Sequence, residues 1–288
     1  MFELRRIGIV KRASALLLDA ILLAVLTTGF MFIISLICGY DKEEELANGY
    51  FQEWEDYRKE YIPEVAAFYG FSYEEGEFDY TITTSDGKSA TLDDVIEKLD
   101  KSKGEDAETA AAYSKYRELM ERVPPSVVNA QYRYVYSLLF MMVSLGILLA
   151  YIVLEFVIPI ILKNGQTIGK KVFAICLVRN DCVKISVMAL FARTLLGKFA
   201  IETMFPVLLV FLFLFGGLGV LAIVLFAAIT VLNVALFFAT KNRTPIHDML
   251  AGTVAVDMKL QMIFESEEEL IQKKTLQHTE SVEKSKSN

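Results

Sequence analysis

Three long apolar blocks dominate the pattern of the chain. Residues 13–39 are broken only by Asp19, residues 135–162 only by Glu155, and residues 205–239 carry no charge. Each exceeds the roughly 20 residues that cross a ~30 Å hydrocarbon core. The third is too long for one upright helix, since about 35 residues at 1.5 Å each overrun a bilayer. Gly216, Gly217 and Gly219 offer a turn within it at little steric cost. This predicts a third span over 199–215 and a fourth over 218–239, with one tilted helix carrying a glycine face as the alternative. The expected architecture is an all-α integral membrane protein, a four-transmembrane-helix bundle with a small, mainly helical extracytoplasmic insert.

The insert announces itself by a change of period. Tyr50, Phe51, Trp54, Tyr57, Tyr61, Val65 and Phe68 recur at three- and four-residue steps, as on an amphipathic helix that Pro63 can kink. Phe78, Tyr80 and Ile82 then alternate before Asp86 and Gly87, a hairpin signal. Thr91 and Asp94 are spaced as a capping box before Val95, Ile96 and Leu99, and residues 107–122 read as a helix. The organisation expected is 1–40 for the N-terminal segment and first span, 41–130 for the insert, 131–258 for the remaining three spans with an amphipathic loop, and 259–288 for a polar, disordered tail.

Charge sharpens this division. Residues 41–130 hold 23 Asp and Glu against 10 Lys and Arg, a net of −13 where the whole chain is −7, so the rest is near +6. The sequence pI of about 5.1 therefore describes the insert and not the membrane part. Arg5, Arg6, Lys11 and Arg12 precede the first span, and Lys241 and Arg243 follow the fourth. Lys163, Lys170, Lys171, Arg179, Lys184, Arg193 and Lys198 lie between the second and third. With four spans the positive-inside rule puts all of these in the cytoplasm, both termini included, and the acidic insert outside. Within 165–198, Ile168, Val172 and Phe173, then Val187, Leu190 and Phe191, are expected to lie in the membrane interface while the basic residues meet anionic lipid. The first apolar block runs on to Cys38 behind a bulky Ile37, too long for a signal h-region, and is expected to be retained.

Candidate chemistry is narrow. The sequence has no HExxH, GxSxG or P-loop, and the GQTIGKK stretch at 165–171 has its glycines too close for one, so no enzyme activity and no cofactor are expected. Two histidines, His247 and His278, leave little for a histidine-based metal centre, and His247 reads as an interfacial packing residue. Cys38, Cys176 and Cys182 lie outside the insert and cannot staple it. The carboxylates at Glu43, Glu44 and Glu45 lack EF-hand spacing and read as a solvated face, and the aromatic stripe reads as core. Nucleic acid is not expected as a partner. The lipid bilayer, a second copy of the chain, and a protein or ligand at the insert are.

The ionisable residues near the apolar blocks carry the functional argument, because a charge there implies a partner, a water-filled cavity or an ion path. Asp19, Glu155 and Asn233 sit six or seven residues from the expected cytoplasmic ends, a common depth of ~10 Å, and Glu202 can join them. Two carboxylates and an amide at one level suit a cation or proton site. Hydrogen bonding that merely ties the helices together is the alternative. Arg12 lies two turns before Asp19 on the same face and can reach Asp248, for which Arg193 competes.

Four separated motifs then occur in order. Arg12 with Asp19, Asn164-Gly165-Gln166-Thr167-Ile168-Gly169-Lys170-Lys171, Arg193, and Arg243-Thr244-Pro245-Ile246-His247-Asp248 followed by Ala251-Gly252-Thr253-Val254 together resemble the RDD family of membrane proteins. The family is named for an arginine and two aspartates, which by position look like Arg12, Asp19 and Asp248. The resemblance covers about 1–40 and 131–258 and leaves out the insert. Asn180-Asp181-Cys182 departs from the Asp-Gly turn that often follows the strand-like stretch at 172–178. The resemblance implies two classes of function in a bacterial plasma membrane. One is ion-coupled transport, which the residues' own placement would put on Asp19 with Glu155 as partner for proton or sodium exchange; the other is a non-transporting scaffold or sensor, for which the insert outside the resemblance would be the interaction surface.

Overall fold

A computed structural model describes residues 4, 7–75, 80–215, 219–240 and 244–286. Along the chain run α1 (Ile9–Cys38), α2 (Tyr40–Phe68), β1 (Phe71–Glu75), β2 (Tyr80–Thr84), β3 (Ser89–Ala90), α3 (Leu92–Ser102), α4 (Ala107–Arg122) and α5 (Pro125–Tyr151). A π-helical stretch, Ile152–Val157, leads into α6 (Ile158–Leu162), followed by α7 (Ile168–Val172), β4 (Ile175–Arg179) and α8 (Val187–Phe191). A second π-helical stretch, Ala192–Met204, leads into α9 (Phe205–Leu214), then α10 (Val220–Ala239), α11 (Ile246–Leu250), β5 (Thr253–Asp257) and α12 (Glu267–Lys286).

Four helical runs are long and apolar enough to cross a membrane: Ile9–Cys38, Pro125–Leu162, Val187–Leu214 and Val220–Ala239. The long third block is thus two helices. Gly219 has a positive φ of 51° before α10, a conformation that favours glycine. Gly216 and Gly217 of the expected turn, and Leu218 at the expected start of the fourth span, lie outside the described residues, as do Arg5, Arg6, Lys241 and Arg243 from the charge argument. The third run corrects the expectation, starting at Val187 rather than near residue 199. Arg193 and Lys198 had argued against a helix continuing into the apolar block, but both are buried in the π-helical stretch by acidic partners.

The chain separates into two compact units, Ser35–Leu139 and the remainder. The first is broader than the expected 41–130. In it, α2 buries Trp54, Tyr57, Ile62 and Val65 against Val95 and Leu99 of α3 and Leu119 of α4. The Trp54 indole N–H donates to the Val123 carbonyl at 2.8 Å. The capping box forms as expected, with the Thr91 backbone N–H and Asp94 side chain bonded at 2.7 Å. The hairpin is part of a three-stranded antiparallel sheet ordered β1-β2-β3, with Ile82 opposite both Tyr73 and Ala90. Phe78 lies outside the described residues. Strand β1 was not foreseen: Phe71-Ser72-Tyr73-Glu74 alternates as a strand does, but the run is only five residues long.

The other unit joins the spans to a two-stranded antiparallel sheet, a correction to the all-α expectation. β4 and β5 pair from Ile175 opposite Asp257 to Arg179 opposite Thr253. One face packs Ile175, Leu177 and Ala255 against Ile7 and Ala15, and the other packs Cys176 and Val178 with Val254 and Val256. Burial on both faces explains why the two strands read as continuous apolar runs. The tail, expected to be disordered, forms α12, whose Leu270 is buried with Val183 and Phe264. Its Glu, Lys and Gln residues are good helix formers, and Glu269 receives the Glu265 N–H at 2.8 Å.

Candidate functional site: a neutral ionic cluster beneath a cavity

Arg12 and Asp19 lie on one face of α1, and that face meets α7, α10 and α11. The close approach of α1 to α7 depends on Gly169. A Cβ there would sit 2.4 Å from the Ala15 carbonyl oxygen and 2.8 Å from Asp19 Oδ1. With that room, Asp19 Oδ1 accepts the Gly169 N–H at 2.8 Å and Oδ2 accepts the Thr167 hydroxyl. Thr167 is itself the N-cap of α7, accepting from the Lys170 N–H. Gln166 donates to the Ile175 carbonyl at 2.8 Å, tying the same turn to β4. The GQTIGK stretch is therefore a device for presenting Lys170.

The Lys170 ammonium stands 3.1 Å from Thr167 Oγ1, 3.7 Å from Asp19 Oδ2 and 3.8 Å from Glu155 Oε2. Burial pulls its pKa down to about 8; Glu155 and Asp19 oppose that pull, while Lys198 and Arg193 reinforce it. Glu155 sits in the π-helical stretch after α5 and takes a hydrogen bond from Lys198 on its Oε1. Its Oε2 faces Arg193 Nη1 at 3.6 Å, and neither atom has a hydrogen-bond partner among the described residues.

Arg193 and Arg12 share Asp248, one on each oxygen. Arg193 Nε donates to Oδ1 at 2.8 Å and Arg12 Nη2 to Oδ2 at 3.2 Å, with the Thr253 hydroxyl also on Oδ1 at 3.1 Å. The expected competition between the arginines is thus resolved by a bridge. Burial alone would raise the Asp248 carboxyl; Arg193, His247 and Arg12 instead hold it well below the usual carboxylate range. Glu202 Oε1 accepts the His247 backbone N–H at 3.0 Å and Oε2 meets its Nδ1 at 2.7 Å. His247 is therefore a bonded member of the cluster, not the plain packing residue expected. Burial keeps its imidazole below its ordinary pKa, so it is neutral at pH 7. Asn233 Oδ1 accepts the Ile246 N–H at 3.4 Å and fixes the start of α11.

The four expected site residues all line one cavity, but they do not share a single partner there. Asp19 and Glu155 share Lys170, Glu202 belongs to His247, and Asn233 holds backbone. Sequence reasoning did not place Lys170 or Lys198 in the site: both were counted as cytoplasmic charge, Lys170 also within the 164–171 motif. The available signal was the position of Lys170 one residue after a glycine in a capped turn. With His247 neutral, Arg12, Lys170, Arg193 and Lys198 balance Asp19, Glu155, Glu202 and Asp248. Most of these residues also line a cavity of about 550 Å³ walled by α1 and α10, with Arg12 stacked 5.1 Å from the Phe237 ring centroid.

The family model described as RDD family matches residues 119–252. That stretch takes in Glu155, Lys170, Arg193 and Asp248 and stops short of Arg12 and Asp19. Neither a curated protein nor a solved structure matches the chain.

Proposed function

We propose, since residues 119–252 match the model of the RDD family of membrane proteins, that this chain exchanges protons for a small monovalent cation across a membrane. The observation that supports this most is the Lys170 ammonium standing among Asp19, Thr167 and Glu155 oxygens in a cluster whose charges cancel. Charged, Lys170 fills that oxygen cage. When it gives up its proton the cluster is left with one uncompensated negative charge, and a monovalent cation entering the same oxygens restores neutrality while the carboxylates and hydroxyl replace its lost water. Ammonium and cation exclude one another, so the exchange is one for one. Its pH dependence follows from Lys170: cation binding strengthens as pH rises through about 8 and is lost as the lysine recharges below it.

In this reading both termini and α7 face the cytoplasm, the acidic insert faces outward in a bacterial plasma membrane, and paired copies of the chain enclose the path that four spans alone make narrow. The test is reconstitution in liposomes, with dissipation of an imposed pH gradient followed on adding sodium or potassium on either side of pH 8. Cation-dependent flux is expected in the native chain, with loss in Lys170→Met and Asp19→Asn proteins that still melt cooperatively. An inert native chain at every pH overturns the exchanger and leaves the scaffold reading, for which deleting residues 45–125 should abolish partner capture.

A further inference from the structure

The cavity that the ionic cluster helps to line is larger than an ion needs. At about 550 Å³ it falls in the range of small-molecule sites. Ile9, Ala13 and Leu16 of α1 and Ile229, Val234 and Phe237 of α10 give it an apolar lining, to which Glu155, Arg193 and Lys170 of the ionic cluster also contribute. Two of these lining residues carry a buried polar atom with no hydrogen-bond partner among the described residues, the acceptor Glu155 Oε2 and the donor Arg193 Nη1. They face each other at 3.6 Å, beyond direct hydrogen-bond reach. Leaving both unsatisfied is costly, since a buried polar atom without a partner bears its full desolvation penalty.

From these features we infer that the cavity binds a zwitterionic amphiphile, its apolar body between α1 and α10 and its head donating to Glu155 and accepting from Arg193. The neutral cluster decides the net charge of the ligand. An anionic or cationic head would leave an uncompensated charge at low dielectric, whereas a primary ammonium joined to a phosphate or carboxylate leaves none and satisfies both orphaned atoms. Such a head can belong to a bilayer lipid or to a free amino acid with a long side chain. The site shares Glu155 and Lys170 with the proposed exchange cluster, but its test reads no flux, so either reading can fail without the other.

The measurement is the melting temperature of the detergent-solubilised full chain. It is followed with a thiol-reactive dye that reports exposure of Cys176 and Cys182, both buried when folded. The probes are short-chain phosphatidylethanolamine, α-aminooctanoic acid, the matching phosphatidylcholine, which has no N–H donor, and anionic phosphatidylglycerol. A saturable rise of several degrees is expected with one or both primary-amine zwitterions and not with the other two. Ethanolamine lipid alone assigns the site to a bilayer lipid, and the amino acid alone assigns it to a free solute. Ile229→Trp, which fills the wall and leaves the ionic cluster intact, should remove the rise, and Val234→Phe serves if the tryptophan variant fails to fold. Equal shifts from all four probes, no shift from any, or a shift that survives both wall substitutions would overturn the inference.

Discussion

Replacing Gly169 with alanine tests the fold and the site together. A Cβ at this position lies 2.4 Å from the Ala15 carbonyl oxygen, and that backbone belongs to a long helix that cannot yield locally. It also lies 2.8 Å from Asp19 Oδ1, the atom that accepts the Gly169 N–H. Either α7 moves away from α1 and the hydrogen bond to a carboxylate is lost, or the helices stay and carry the overlap. Overpacking costs typically about 1–3 kcal/mol, and losing a hydrogen bond to a charged group about 1.5–3 kcal/mol. These costs are alternatives as much as partners, so about 2–5 kcal/mol is expected, a melting shift on the order of 10 °C for a unit of this size. Gly29→Ala is the control, being in the middle of α1 with nothing within 4 Å of its added Cβ. There the alanine should be neutral or stabilising by about 0.5–1 kcal/mol. The dye that reports Cys176 reads both, because β4 follows directly on α7. A Gly169→Ala protein that melts with the native chain would refute the close approach, and with it the placement of Lys170.

Asp248→Asn removes the anion between Arg12 and Arg193 and leaves Arg193, 2 % exposed, short of a counter-charge. Breaking a buried pair in this way costs about 3–5 kcal/mol, so the yield of folded protein and the melting temperature should both fall, and an unchanged melt would show the bridge to be incidental. Leu99→Ala, at a fully buried position in the insert, should destabilise that unit by about 2–5 kcal/mol. Trp54, the sole tryptophan, sits in the same core and reports it by fluorescence.

The spans, the insert and the capping box were legible because each is written in short-range pattern. Apolar blocks need only length, the amphipathic α2 needs only its period, and Thr91 with Asp94 needs only spacing. The start of the third span was not legible, since Arg193 and Lys198 look like cytoplasmic residues until Glu155 and Asp248 are placed beside them. The β4–β5 sheet escaped for a related reason: its strands are five residues each and stand 78 positions apart at Ile175 and Thr253, so neither could be paired from local signals.

The same distinction explains why Asp19 and Glu155 were found as site residues while Lys170 and Lys198 were not. Asp19 and Glu155 stand out because their neighbours in sequence are apolar, and that contrast is local. Lys170 sits among polar residues, and nothing near it in the chain marks it as buried. It becomes special only because Gly169 lets α7 approach α1 across a sequence separation of 150 residues, carrying the lysine to Asp19 and Glu155. A carboxylate in an apolar run therefore shows where a membrane protein places an interaction. Which cation answers it is decided by helix contact, and the glycines that permit such contact are the better guide to where the second half of an ionic site will be found.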